Sequence, residues 1–263
     1  MSNKSKQIVN YVWINKDIFE EKYDGTGEPI NAIPLTAIDK SIQNAKAYTD
    51  ATINIWIDFR FVDDESRKRT IEYIKKAQRP NIKIRSLEDI ESYLGDPLMD
   101  MDTDKSIWAR TDYARLQVLD NVMSDNPDAL VVYADFDVPD LWLDNDELEA
   151  SVMNYGLALS NVDSVGQENN YFAFRGMKGQ QFLTSLVKAT KWKFEDEQRK
   201  EYMDTESRHY IERNDAWNAL RETLEQFDIL YSKALGISIV PASRGDGCYN
   251  EKTYGISPKP YTT

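Results

Sequence analysis

Apolar positions along the first half of the chain switch between two periods, and the switches outline alternating strands and helices. Residues 7–14, QIVNYVWI, form a β-branched and aromatic run that predicts a strand ending at Trp13. Over residues 36–48, Ile38, Ile42, Ala45 and Tyr48 return on one helical side, with Thr36 as the expected cap. Residues 51–58 alternate Ile53, Ile55 and Ile57 and predict a second strand. A charged amphipathic helix follows at 64–77 with Ile71, Ile74 and Ala77 inward, then a third strand at 81–86 and a helical turn at 87–90. Glycine and proline place loops at 16–34 and 95–104. Residues 107–123 hold Trp108, Leu116, Leu119, Val122 and Met123 at helical spacing, with no glycine or proline inside. Next comes ALVVYADFDV, residues 129–138, in which an apolar run leads into Asp135 and Asp137. It reads as a strand buried on both faces, with Tyr133, Asp135 and Asp137 on one side and Ala134 and Phe136 on the other.

The second half is less regular. Asp140, Asp144, Asp146, Glu147 and Glu149 read as a solvated acidic face, because their spacing does not match a calcium-binding loop. Strands are expected at 155–160 and 171–177 around a polar turn at 161–170, helices at 179–190 and 204–227, and a last strand at 236–242. The tail, 243–263, carries Gly245, Gly247, Gly255, Pro258 and Pro260 and reads as irregular. Strand–helix alternation argues for an α/β fold with a mostly parallel central sheet, crossover helices, and extra helices toward the C-terminus.

Charge narrows the partners. Forty-five acidic residues against 32 basic give a formal net charge of −13, which disfavours direct nucleic-acid binding. The nearest basic cluster in sequence, Arg67 to Arg69, lies on a predicted helix among acids. No apolar run approaches the ~20 residues that span a bilayer, and the N-terminal segment lacks the apolar core of a signal peptide. A cytoplasmic location, or export into a host cell by a signal-less route, is the expectation. Cys248 is the single cysteine, which excludes an internal disulfide and suits a reducing compartment. His209 sits in a polar run and is expected at the surface, which leaves no histidine triad or histidine-rich metal site.

The candidate chemistry lies where the 107–123 helix meets the next strand. Asp112 and Arg115, three residues apart, share one helical face. By themselves they would be an ordinary ion pair. Asp135 and Asp137 stand at the carboxyl end of a buried strand, where open α/β sheets place ligands, and both are costly to bury ionised without a cation or strong donors. Asp112-Tyr-Ala-Arg115 followed by Tyr133-Ala-Asp135-Phe-Asp137 resembles the glycosyltransferases with the sugar-binding D-x-D motif. That group contains the yeast initiating mannosyltransferases and the glucosyltransferase domains of large clostridial toxins.

The resemblance implies a Rossmann-like fold of GT-A type and a single domain over 1–263, with a nucleotide-sugar part at 1–140 and acceptor-side and closing elements at 141–263. It implies that Asp112 and Arg115 hold the donor sugar, that Asp135 binds ribose and sugar hydroxyls, and that Asp137 ligates Mn2+ or Mg2+. Tyr133 would line the donor site, and Asn170 would touch the sugar or acceptor, with an ordinary turn asparagine as the equal alternative. Trp13, in the step V-W-I, would stack on the donor's uracil, with a core position as the even alternative. The implied reaction moves a sugar from a nucleotide sugar, a UDP-sugar by preference, to a glycan, protein or small-molecule acceptor with retention of configuration. Two departures stand out. Ser124 to Asp128 replaces the family's Gly-Gly turn, and the tail has no tryptophan, which leaves Asp246, Glu251, Tyr254 and Ser257 as candidate closing groups. Two other readings compete. One is a phosphatase of haloacid-dehalogenase type, with Asp135 as nucleophile and Asp137 as acid, although such enzymes carry this motif on their first strand. The other is a catalytically silent binding domain on the same scaffold.

Overall fold

The computed structural model describes residues 5–15, 35–101, 103, 105–136, 138, 140–162, 166–196, 205–229 and 235–239. The expected loop at 16–34, the tail with Asp246, Glu251, Tyr254 and Ser257, Cys248 and Asp137 lie outside these residues, as do the side chains of Trp108 and His209.

Among the described residues seven strands form one sheet: β1 (Gln7–Trp13), β2 (Thr52–Ile57), β3 (Ile82–Ser86), β4 (Leu130–Ala134), β5 (Leu157–Val162), β6 (Gly166–Phe174) and β7 (Leu235–Ile239). Their order is β3-β2-β1-β4-β6-β5-β7. β1 pairs in parallel with β2 and β4, β2 with β3, and β5 with β7, whereas β6 runs antiparallel to both β4 and β5. The expected α/β architecture with a mostly parallel sheet is present. The chain leaves β1 toward β2 and β3 on one side, then returns to lay β4 on the other. The space above the carboxyl ends of β1 and β4 is therefore the switch point of the sheet, the place where open α/β sheets bind ligands.

Helices cover both faces. α1 (Leu35–Ala47), α2 (Asp64–Lys76) and α5 (Asp146–Tyr155) bury Ile38, Ile74, Leu148 and Val152 against Val9, Tyr11, Ile53, Ile55, Leu130 and Val132. The other face carries α3 (Glu91–Leu94), α4 (Ile107–Asp125), α6 (Gly176–Glu195) and α7 (Thr205–Gln226), packed on Ile8, Val12, Val131, Tyr133 and Phe172. Alternation along β1 and β4 divides the apolar side chains between the two layers. Asn10 breaks the apolar pattern of β1 because it is an internal cross-link. Its amide donates to the Val132 carbonyl at 3.1 Å, and its oxygen accepts from Asn54 at 3.0 Å and the Trp56 indole at 2.9 Å. These bonds tie the side chains of β1 and β2 to the backbone of β4.

α4 is buried around nearly its whole circumference, between the sheet and the helices α6 and α7. It starts at Ser106, whose hydroxyl accepts from the Ala109 N–H at 3.2 Å, and it ends at Asn126, whose side-chain amide donates to the Val122 carbonyl at 2.9 Å. The helix runs two residues further than its periodicity predicts, so the connection to β4 is only residues 126–129, closed by Ala129 N–H to Asn126 O at 3.1 Å.

Several expectations are corrected. The strand expected at 129–138 ends at Ala134. α1 begins at Leu35, so Thr36 lies inside the helix and is not its cap. The strand expected at 171–177 begins at Gly166 and ends at Phe174, and the helix after it starts at Gly176. Asp140, Asp144, Asp146, Glu147 and Glu149 are exposed as expected, but the run also holds an unexpected helix, α5. Asn145 caps it by accepting from the N–H groups of Glu147 and Leu148 at 2.8 and 3.0 Å, and the acids of its first turn face the positive end of the helix dipole.

Candidate functional site

The amino end of α4 and the carboxyl end of β4 meet on one face of the sheet, and that meeting gathers four of the nominated residues. Arg115 extends from α4 with its guanidinium carbon 4.8 Å from the centre of the Tyr133 ring. Its Nη2 lies 2.7 Å from Asp112 Oδ1 on the same helix, its Nη1 lies 3.7 Å from Asp135 Oδ1, and its Nε donates to the Thr111 carbonyl at 3.4 Å. Arg115 and Asp112 are 6 % and 8 % exposed, so this is not the solvated ion pair that spacing alone allows. Tyr133 is buried and donates its hydroxyl to Asp135 Oδ1.

Asp135 is the first residue past β4. Its side chain keeps 20 % exposure, the most open group of the four. Its N–H donates to the Asn170 carbonyl at 2.8 Å, which extends the β4–β6 ladder by one rung and places Asn170 directly beside it. Burial pushes the Asp135 carboxyl above the ordinary aspartate range, while the Arg115 guanidinium and the Tyr133 hydroxyl pull it down. A carboxylate held this way favours a positive group or a hydroxyl donor arriving from the crevice.

Trp13 stands apart. It ends β1 at the same edge of the sheet, but the alternation of β1 turns it to the opposite face from Tyr133, and it packs against the α1-side core. The ring is half-buried, meets Phe136 edge-on at 6.0 Å, and donates Nε1–H to Asn15 Oδ1 at 2.9 Å. Phe136 in turn stacks on Tyr11 at 4.6 Å. Trp13 and the Arg115 group thus flank the switch point from the two faces, with Phe136 and Asp135 adjacent in sequence between them.

A second polar cluster at the same edge was not foreseen. Asp58, fully buried, follows β2 as Asp135 follows β4. Arg60 grips it with both prongs, Nε to Oδ1 at 3.0 Å and Nη2 to Oδ2 at 2.8 Å, and the Tyr93 hydroxyl donates to Oδ2 at 2.6 Å. Arg110 approaches Oδ2 at 3.9 Å with its guanidinium 4.5 Å above the Phe61 ring. Its Nε and Nη2 are buried with no hydrogen-bond acceptor among the described residues, and burial pulls its pKa below the ordinary value. The available signal was the acid closing an apolar strand, the same one that drew attention to Asp135.

No family model matches the chain, and no curated protein sequence matches it. Among solved structures, the PaToxG glycosyltransferase is similar over 95 % of this chain and 85 % of its own, with 11 % identity and a TM-score of 0.40. A transferase mutant with two cysteines changed to serine is similar over 86 % of this chain and 87 % of its own, with 13 % identity and a TM-score of 0.45. Overlap at this level sets no correspondence between individual residues. Among the described residues no helix is long and apolar enough to cross a membrane.

Proposed function

We propose that this chain is a metal-dependent glycosyltransferase of GT-A type, moving a sugar from a UDP-sugar to a glycan, protein or small-molecule acceptor with retention of configuration. The observation that supports it is the position of Arg115, held between Asp112 and Asp135 over the Tyr133 ring at the switch point. In such a transfer the anomeric carbon passes from a diphosphate oxygen to an acceptor oxygen. Positive charge builds on the sugar ring and negative charge on the diphosphate. A fork of guanidinium donors beside the crevice suits a phosphate or sugar oxygen, and a fixed carboxylate suits the ring as it becomes oxocarbenium-like. Asp135 and Asn170 would meet ribose and sugar hydroxyls, and Trp13 would stack on the base from the other face.

Mg2+ and Mn2+ take hard oxygen ligands, and Asp135 offers one partly exposed carboxylate there. Among the described residues no three acidic, histidine or cysteine side chains cluster as a self-sufficient metal cage. That donor set fits an ion ligated by Asp137 and by the substrate's own phosphates, with Asp135 left to the donor's hydroxyls. Such an ion would neutralise the departing diphosphate.

The test is release of nucleoside diphosphate from UDP-, GDP- and ADP-sugars with manganese, alongside calorimetric titration of manganese into Asp135→Asn and Asp137→Asn variants. UDP release that is lost in both variants, with manganese affinity falling only in Asp137→Asn, is the expected pattern. Phosphate release from simple esters without any nucleotide release would sink the proposal, and so would silence toward every donor. A manganese affinity lost in Asp135→Asn and retained in Asp137→Asn would reverse the two roles.

A further inference from the structure

A groove of about 730 Å³ runs along β3 between that strand and α2, from Pro80 to Ser86. β3 is the outermost strand of the sheet among the described residues, so one side of its backbone has no neighbouring strand there. Such an edge is a ready template for another extended chain. The floor is apolar, with the half-buried Ile82 and Ile84 beneath Ile71 and Ile74 of α2.

The lining is basic. Arg67, Lys75, Arg79 and Arg85 border the groove against one acid, Asp89, on a chain whose net charge is −13. Arg67 lies with its guanidinium carbon 4.2 Å from the Phe59 ring at one end of the groove. Arg79 is half-buried, and its Nε is enclosed without a hydrogen-bond acceptor among the described residues. With Nε enclosed, the rest of the Arg79 guanidinium is a half-buried charge at the groove wall, and such a charge favours an incoming carboxylate.

We propose that this groove binds an extended acidic peptide segment of a partner protein, added alongside β3, with apolar side chains on the isoleucine floor alternating with carboxylates that reach the basic rim. The period of two along a strand supplies that alternation. An apolar floor beside an open sheet edge suits a peptide better than a nucleic acid, whose backbone brings a phosphate at every step and no main-chain amide ladder. The remaining surface, being strongly acidic, would repel such a segment, so binding is confined to the groove.

The experiment uses the full chain and a fluorescein-labelled eight-residue peptide of alternating valine and glutamate, read by anisotropy. Saturable binding is expected, weaker at about 300 mM than at about 50 mM salt because the Debye length contracts. A double variant, Arg67→Glu with Arg79→Glu, should bind at least about tenfold more weakly, the loss that about 1.4 kcal/mol represents, while keeping its circular dichroism spectrum. N-methylation of alternate peptide amides along one edge should weaken binding comparably, because it removes strand pairing without changing charge. The proposal is overturned if the peptide fails to bind, if the charge reversals leave its affinity unchanged, or if the N-methylated peptide binds as well as the parent. It is also overturned if the matched valine–lysine peptide binds equally, or if an oligodeoxythymidylate of the same charge competes as strongly as the parent peptide.

Discussion

Arg115→Met tests the construction of the site without any substrate. At 2.7 Å from Asp112 and 3.7 Å from Asp135, the guanidinium attracts the two carboxylates by about 6 and about 4 kcal/mol respectively in gross terms at an effective dielectric of about 20. Most of that is spent on desolvating the three groups, so the net worth of the arrangement is small. Removing the cation alone is different, because it strands the buried Asp112 carboxylate and the partly exposed Asp135 carboxylate. Breaking a buried pair from one side costs about 3–5 kcal/mol. Methionine keeps the aliphatic packing over Tyr133, so the loss is electrostatic. At about 2–4 °C per kcal/mol for a chain of this size, the melting temperature should fall by roughly 10 °C. Asp135→Asn alone should change stability by about 1 kcal/mol or less, since burial already disfavours its ionised form. In the Arg115→Met background the same Asp135→Asn change should restore stability, giving a coupling energy of about 2 kcal/mol. Urea unfolding followed by both circular dichroism and tryptophan fluorescence measures the four proteins. If the two effects add to within about 0.5 kcal/mol, Arg115 does not hold Asp135 and the site as described is wrong.

Trp13→Ala should weaken donor binding by about 1–3 kcal/mol if the ring stacks on a base. It should also lower stability by about 1 kcal/mol through the lost edge contact with Phe136. A large drop in melting temperature with unchanged donor affinity in calorimetry would make Trp13 a core residue only. Arg60→Ala should destabilise by about 3–5 kcal/mol because it strips both prongs from the fully buried Asp58. Arg110→Met should be within about 1 kcal/mol of neutral, since Arg110 is farther from Asp58 and already has buried donors unused. Equal losses in urea melts would refute that ranking. Gly179→Ala should cost about 1–3 kcal/mol, because its added carbon would stand 2.4 Å from the carbonyl oxygen of Gly156, the residue after α5, where it meets the first turn of α6. Wild-type stability in that variant would mean the two backbones separate freely.

Secondary structure in the first half was legible because it is written in short periods. A repeat of two over residues 51–58 or of 3.6 over residues 107–123 is a property of neighbours in sequence, and β2 and α4 appear where those repeats predict. The pairing of Asp112 with Arg115 is likewise a consequence of helical spacing. α5 escaped because its acidic first turn looked like solvated surface. The same acids serve as favourable charges at a helix start once Asn145 supplies the cap.

What only the tertiary structure decided is which elements lie side by side. Chain order runs β3 then β4, yet β4 pairs with β1 and β6 enters antiparallel beside it. That placement creates the switch point, brings Asn170 to Asp135 across a ladder rung, and sets Trp13 and Arg115 on opposite faces. The same holds for charge. Lys75, Arg79 and Arg85 already fall in an acid-free stretch, residues 73–87, but only the packing of α2 beside β3 lines them up with Arg67 along one groove. Local periodicity determines which face of a segment is apolar. The partner that covers that face is chosen by the whole chain's need to bury all such faces at once, which no short stretch of sequence encodes.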